Sequence, residues 1–145
     1  MSETEIAIDI FEELKKLNFP ADDFIVIGSG IMAAKNIREA YDLDIVVSEA
    51  LFEKCKTEGW ELKPWTKVGT QGKSWLKNGI TDLMLEVMSG DELLDLKALK
   101  KEGEKINGIW FISLKQLIRF KTAYGRPKDF DDIVMIEEYL NSNIV

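Results

Sequence analysis

The sequence predicts an α/β (α+β) fold in which helices flank a mixed central β-sheet. Two short apolar runs, residues 24–27 and 109–112, have the length and branched side chains that are typical of buried strands. Segments with the apolar periodicity of helices lie between such runs. The 145 residues contain no repeat and no linker that would divide them. We therefore expect a single domain over residues 1–145.

The composition excludes several kinds of chemistry. Histidine is absent, which excludes catalysis by a histidine base, histidine-assisted nucleophiles and the usual histidine-rich zinc sites. The formal net charge of −7 argues against a broad nucleic-acid-binding surface, although a local basic patch is compatible with it. The single cysteine, Cys55, excludes an intrachain disulfide and favours a cytoplasmic protein. No apolar run is long enough for a membrane helix, so we expect no membrane partner.

Local signals place the elements along the chain. Asn18 and Pro20 end the first predicted helix, Gly59 closes the third, and Asn78 with Gly79 indicates a hairpin turn. Ser113 and Gln116 match a capping box, Gly125 matches a helix stop, and Pro127 suits the first turn of a last helix. The predicted helices cover residues 4–17, 31–37, 49–58, 91–101, 114–124 and 127–140, and the predicted strands cover 24–27, 42–47, 80–87 and 109–112.

Asp42 and Asp44 are the strongest candidates for a metal site. They lie two residues apart in a predicted strand, so their side chains leave the same face. Two carboxylates held close together repel each other unless a cation or a proton lies between them. Mg²⁺ suits such a pair, because it takes one or two carboxylates and fills its shell with water and phosphate oxygens. The alternative is that both are solvated turn residues.

Gly28, Ser29 and Gly30 connect a predicted buried strand to a predicted helix. Glycine permits close backbone approach, and backbone N–H groups in such a turn favour phosphate. The sequence matches neither a P-loop nor a complete dinucleotide-binding motif. An ordinary strand-to-helix turn is the alternative.

Further charged residues follow in the second half of the chain. On the predicted strand 80–87, Asp82 and Glu86 share a face, and either could complete a three-carboxylate site; we favour Asp82. They could instead mark a solvent-facing side. Lys121 and Arg126 could hold a triphosphate, oriented by Asp129 and Asp132, or they could belong to a solvated, salt-bridged helix pair.

Together these features resemble the nucleotidyltransferase superfamily of the minimal, DNA polymerase β-like kind. The pattern is an apolar strand ending in Gly28-Ser29 and then an Asp-x-Asp strand containing Asp42 and Asp44. The stretches 111–121 and 125–132 resemble the last motif of the AbiEii-like branch, which includes toxins of toxin–antitoxin and phage-defence systems. The resemblance covers residues 24–140, nearly the whole chain.

The resemblance implies an activity and assigns residues to it. It implies Mg²⁺-dependent transfer of an NMP group from an NTP to a hydroxyl of unknown identity on a small molecule, an RNA end or a protein. Gly28 and Ser29 would hold the NTP phosphates, and Lys121 and Arg126 would contact phosphate or hold the motif together. Asp42, Asp44 and Asp82 would be the metal-binding and catalytic carboxylates, with Asp82 as the base.

A second hypothesis keeps the fold without catalysis. The domain would then be a nucleotide-binding or protein-binding module, and an exposed group drawn from Trp60, Trp65 and Trp75 would support it. The third carboxylate discriminates between the two hypotheses. Three converging acidic groups favour an enzyme, whereas a buried or diverted Asp82 and Glu86 favour binding alone.

Overall fold

A mixed sheet forms the centre of the computed structural model, which describes residues 6–64 and 74–142. Within those residues the sheet has seven strands in the order β3-β4-β5-β2-β1-β9-β8, and β6 and β7 form a separate hairpin. The strands are β1 (Phe24–Ile27), β2 (Leu43–Val47), β3 (Glu61–Lys63), β4 (Trp75–Asn78), β5 (Thr81–Met84), β6 (Glu86–Ser89), β7 (Glu92–Asp95), β8 (Glu104–Ile106) and β9 (Ile109–Phe111). The helices are α1 (Ile10–Leu17), α2 (Gly30–Ala34), α3 (Glu49–Thr57), α4 (Leu96–Lys101), α5 (Leu114–Tyr124) and α6 (Pro127–Ser142), with a short 3₁₀ turn at Ala21–Asp23.

Strand directions make the sheet mixed, as predicted. β1 runs antiparallel to β2 and parallel to β9, whereas β2 runs parallel to β5. Directly paired residues point to the same side of a sheet. Ile27 and Asp44 therefore share one face, and Val26 and Phe111 share the other.

Helices cover both faces of this sheet. On the Val26 face, the ring of Phe11 in α1 packs edge-on against Phe111, with the ring centroids 5.8 Å apart. Also on that face, α2 comes so close that a Cβ atom on Gly30 would lie 2.5 Å from the Val26 side chain. On the Ile27 face lie α5 and α6, which pack against each other. Among the described residues, no helix combines the length and apolarity needed to cross a bilayer.

The first helix begins later than predicted. Periodicity placed its start at residue 4, but α1 begins at Ile10, and the Asp9 carboxylate caps it by accepting from the amides of Phe11 and Glu12. Ile8 forms an isolated β-bridge with Ala40 instead of a helical turn. An aspartate side chain offers the backbone an alternative to the helical hydrogen bond, which explains the later start.

Two further predictions about the middle of the chain were wrong. The predicted strand 80–87 is broken at Leu85, so β5 belongs to the central sheet and β6 to the hairpin. The predicted helix 91–101 is helical only from Leu96, because β7 folds back along β6 through a turn at Gly90, whose φ is +63°. The strand β8, which was not predicted, pairs with β9 across Asn107 and Gly108.

The predicted signals around α5 and α6 are confirmed. Ser113 and Gln116 form a complete capping box, with each side chain bonded to the other residue's backbone amide. Gly125 ends α5 in the left-handed conformation with φ of +67°, and Pro127 begins α6. This short connection joins α5 to α6, which pack against each other.

Candidate functional site

The turn after β1 lies directly beside Asp44. Ile27, the last residue of β1, is the pairing partner of Asp44 in β2, so the two strands bring the turn and the carboxylate together. Gly28 has φ of +64°, and a Cβ atom at this position would lie 3.1 Å from Asp44 Oδ2. Glycine therefore meets two demands here, a left-handed backbone and space for the neighbouring carboxylate.

A cavity of about 500 Å³ opens next to this turn, between the sheet and the α5–α6 pair. Apolar side chains of Ile27, Met84, Val87, Leu117 and Phe120 line one part of it. Six of the predicted site residues also line it: Gly28, Ser29, Asp42, Asp44, Lys121 and Arg126. The fold thus brings together residues from four separate stretches of the chain.

Asp42 and Asp44 differ in their surroundings. Asp42 is exposed and lies just before β2, which begins at Leu43, so the predicted strand starts one residue too early. Asp44 is half-buried within the strand, and its Oδ1 atom is buried. Both carboxylates line the cavity.

The donor set fits a Mg²⁺ ion shared with a ligand better than a metal site made by protein alone. Within residues 6–64 and 74–142, no group of three or more Asp, Glu, His or Cys side chains comes together to hold a metal ion. Two carboxylates still match Mg²⁺, which commonly takes one or two carboxylates and obtains its other ligands from water and substrate phosphates.

Asp82 lies beside Asp44 but has a different environment. It pairs with Asp44 across β2 and β5, so both side chains leave the same face of the sheet. Its side chain is buried, and Lys77 Nζ lies 3.3 Å from its Oδ1. Asp82 is not among the described residues that line the cavity.

Glu86 does not continue the face of Asp82. It begins β6, beyond the break at Leu85, and pairs with Asp95 in the separate hairpin. The prediction that Asp82 and Glu86 alternate along one strand was therefore wrong. The choice of Asp82 over Glu86 as the third carboxylate stays a prediction.

Ion pairs with buried carboxylates connect the turn to the last two helices. Arg38 Nη2 donates to Ser29 Oγ at 2.8 Å, and the same guanidinium binds Asp132 through two hydrogen bonds. Lys121 Nζ lies 2.7 Å from Asp132 Oδ2 and 3.4 Å from Asp129 Oδ1. Asp129 also accepts two hydrogen bonds from the side chain of Arg126, at 2.6 and 3.0 Å. Three cations and two carboxylates therefore form one chain of contacts.

The ion pairs determine the protonation of the two aspartates. Burial raises the pKa of Asp129, but hydrogen bonds from the side chain and backbone of Arg126 and the charge of Lys121 outweigh it and lower the pKa. Burial likewise raises the pKa of Asp132, whereas hydrogen bonds from Arg38 and Lys121 lower it overall. Hydrogen bonding to Asp132 and Asp129 in turn raises the pKa values of Arg38 and Arg126.

Arg38 was not identified as a site residue from the sequence, although it links Ser29 to α6 and lines the cavity. A signal for it existed. Asp129, Asp132 and Ile136 occupy the buried side of α6 at helical spacing, and carboxylates at core positions need cationic partners. Lys121 supplies one partner and Arg38 the other. The predicted salt-bridged helix pair is thus present, but its carboxylates, Asp129 and Asp132, are buried and not solvated.

Of the three tryptophans that would support a binding module, the two that the structure describes, Trp60 and Trp75, do not form an exposed group. Trp75 is buried, and its indole N–H donates to the Pro64 carbonyl at 2.8 Å. Trp60 is half-buried, and its ring lies 6.2 Å from that of Phe19. Trp65 lies outside the described residues.

No protein-family model and no curated protein sequence matches this chain. The case for a function therefore depends on the cavity and on the residues around it.

Proposed function

We propose that the protein is a Mg²⁺-dependent nucleotidyltransferase, which moves an NMP group from an NTP to a hydroxyl of an acceptor. One observation carries the proposal. A single cavity has the carboxylates of Asp42 and Asp44 and the cationic side chains of Lys121 and Arg126 on its walls. Carboxylates suit a hard metal ion, and arginine and lysine suit phosphate oxygens, so the combination fits a metal-bound triphosphate.

Asp42 and Asp44 would hold Mg²⁺ together with the phosphates of the nucleotide. The ion would supply neutralisation of the negative charge on the α-phosphoryl group and on the departing pyrophosphate. Asp42 is exposed and can approach a ligand, whereas Asp44 is fixed in β2 beside Gly28. One exposed and one half-buried carboxylate suit a site that is completed only when the nucleotide binds.

The chain's own residues would position the nucleotide. Arg38 donates a hydrogen bond to the Ser29 hydroxyl, which lines the cavity. This hydroxyl would contact a phosphate oxygen. Lys128 adds an exposed positive charge to the cavity lining, whereas Arg126 is half-buried and bound to Asp129, and Lys121 is buried and bound to Asp129 and Asp132. The acceptor hydroxyl oxygen would bond to the α-phosphorus as the bond to pyrophosphate breaks. The resemblance assigns the hydroxyl proton to Asp82.

Calorimetric titration tests the nucleotide site. We would titrate ATP, GTP, CTP and UTP into the protein with Mg²⁺, and compare the wild type with Asp42→Asn/Asp44→Asn. Asp22→Asn/Asp91→Asn is the matched control, because both residues are exposed and neither lines the cavity. We expect Mg²⁺-dependent binding that only the site variant loses. A folded wild-type protein that binds no NTP would contradict the proposal.

Nucleotide binding without transfer is the second candidate, and the environment of Asp82 favours it. The carboxylate proposed as the base is buried and bound to Lys77. Release of pyrophosphate in the presence of candidate acceptors separates the candidates. Mg²⁺-dependent NTP binding without pyrophosphate release from any acceptor would favour the binding module. The resemblance to toxins adds a cellular test, in which induced expression arrests growth only when Asp42 and Asp44 are intact.

A further inference from the structure

The region from α4 to β9 carries local positive charge in an acidic chain. The chain has a net charge of −7, yet residues 97–105 contain four lysines and two glutamates. Glu102 is bound by Arg119 at 2.8 Å, and Glu104 by Lys35 at 3.0 Å. Both glutamates are thus neutralised by residues from other elements. None of the four lysines forms an ion pair within residues 6–64 and 74–142.

Two of these lysines lie over one aromatic ring. Lys100 Nζ lies 5.7 Å from the centre of the Trp110 ring, and Lys105 Nζ lies 5.3 Å from it. Lys105 is the cross-strand partner of Trp110, and Lys100 is further held by the backbone carbonyl of Asp22. Lys97 and Lys101 are exposed and lie four residues apart at the two ends of α4, so they project from the same side of the helix.

We propose that this lysine–indole surface, formed by Lys97, Lys100, Lys101, Lys105 and Trp110, binds a single-stranded nucleic acid. Proteins that bind single strands combine a basic track along the phosphates with aromatic side chains on which bases stack. The half-buried indole would supply a stacking ring, and the lysines of α4 and β8 would contact the neighbouring phosphates. Its residues come from α4, β8 and β9, and none of them lines the cavity. The inference therefore does not depend on the proposed transferase activity.

The positions of the exposed apolar side chains favour a nucleic acid over a membrane as the ligand of this surface. An interfacial membrane site needs exposed apolar side chains beside its basic ones. The large hydrophobic residues that are exposed in the described chain are Ile6, Tyr41, Leu62, Leu93, Phe130 and Val134. None of them belongs to residues 96–110. The surface offers one aromatic ring with several cations, which matches a polynucleotide better than a lipid surface.

Fluorescence anisotropy with labelled twelve-nucleotide oligouridylate and oligothymidylate at 50 mM salt tests the proposal on the full chain. Lys97→Glu/Lys101→Glu should weaken binding at least tenfold. Lys54→Glu/Lys56→Glu makes the same charge change at exposed positions of α3 and should stay within about threefold of the wild type. Losing two phosphate contacts should make the slope of log affinity against log salt shallower by about 1.4.

The indole has its own test. Trp110→Leu removes the stacking ring and should weaken binding about tenfold, whereas Trp110→Phe keeps a ring and should stay within about threefold. Three results would overturn the proposal: no binding by the wild type, equal weakening by the two lysine double variants, or binding to anionic vesicles but to neither oligonucleotide. A failure of NTP binding would leave all of these measurements intact, so the two proposals fail separately.

Discussion

Arg38 and Asp132 form a two-point contact, with Nε to Oδ1 at 2.8 Å and Nη2 to Oδ2 at 2.9 Å. The contact joins residues 94 positions apart and connects the segment before β2 to α6. Lys121 binds the same carboxylate from α5. One aspartate therefore fixes the relative positions of the strand edge and both C-terminal helices.

Replacing Asp132 should be costly for stability. Asp132→Asn removes the negative charge that compensates Arg38 and Lys121, and breaking a buried pair from one side costs about 3 kcal/mol. Urea unfolding at neutral pH measures the loss in the free energy of unfolding. Asp131→Asn is the control, because Asp131 is the exposed neighbour and its substitution should change stability by less than about 0.5 kcal/mol. Equal losses in the two variants would contradict the assigned importance of the pair.

Asp129 should contribute to unfolding by acid. Its pKa is lowered in the folded protein, so the folded state binds fewer protons than the unfolded state near the ordinary Asp value of 3.8. The stability from this group is complete above that value and is lost as the pH falls through the lowered pKa. Thermal unfolding between pH 6 and pH 2.5 should show a shallower decline for Asp129→Asn than for the wild type. Parallel curves would exclude a lowered pKa for Asp129.

Replacement by alanine should destabilise the protein more at Gly28 than at Gly79, a glycine with a similar backbone conformation. Gly28→Ala adds a Cβ atom 3.1 Å from Asp44 Oδ2 and strains a backbone with φ of +64°. Gly79→Ala meets similar strain at φ of +60°, with no heavy atom within 4 Å of the new Cβ. We expect Gly79→Ala to cost about 1 kcal/mol and Gly28→Ala to cost more. Denaturant midpoints measure the loss of stability in each variant. Equal losses would show that the Asp44 side chain can move away from the new Cβ atom without a cost in stability.

Arg38 should not be replaceable by lysine. Lysine keeps the charge but cannot bind both oxygens of Asp132 and the Ser29 hydroxyl at once. We expect Arg38→Lys to lower the free energy of unfolding by about 1.5 kcal/mol. Arg119→Lys is the matched control, because that guanidinium binds an exposed Glu102 and the change should cost less than about 0.5 kcal/mol. Unfolding in urea distinguishes the two, and a neutral Arg38→Lys would contradict this account.

The sequence predicted the parts of the fold that depend on local signals. The strand Phe24–Ile27, the turn at Gly28 and the capped start of α5 each have a distinctive local pattern, and all three are found in the structure. The hairpin β6–β7 was missed, because four residues are too few to separate helical from strand periodicity. There the pairing with β6 decides the conformation of residues 92–95.

Of the candidate site, too, the sequence predicted the residues that have a local pattern and missed the contacts that depend on tertiary packing. The sequence grouped Asp42 and Asp44 by spacing, and both line the cavity, Asp44 from β2 and Asp42 from the residue just before it. It could not show that Lys77 binds Asp82, because that contact arises from the register of β4 against β5. Nor did it show Arg38 beside Asp132, because the contact joins distant parts of the chain. Those relationships are set by tertiary packing and have no local pattern.

The chain of ion pairs also bears on the order in which the protein can form during synthesis. A chain synthesised only as far as Arg126 already contains Gly28, Asp42, Asp44 and Lys121, but it does not yet contain α6. The guanidinium of Arg38 and the ammonium of Lys121 then lack the carboxylate that they share in the complete fold. Because domains generally fold as units, the cavity should form only after α6 has been synthesised and released, and a protein truncated after residue 126 should lack the closed cavity.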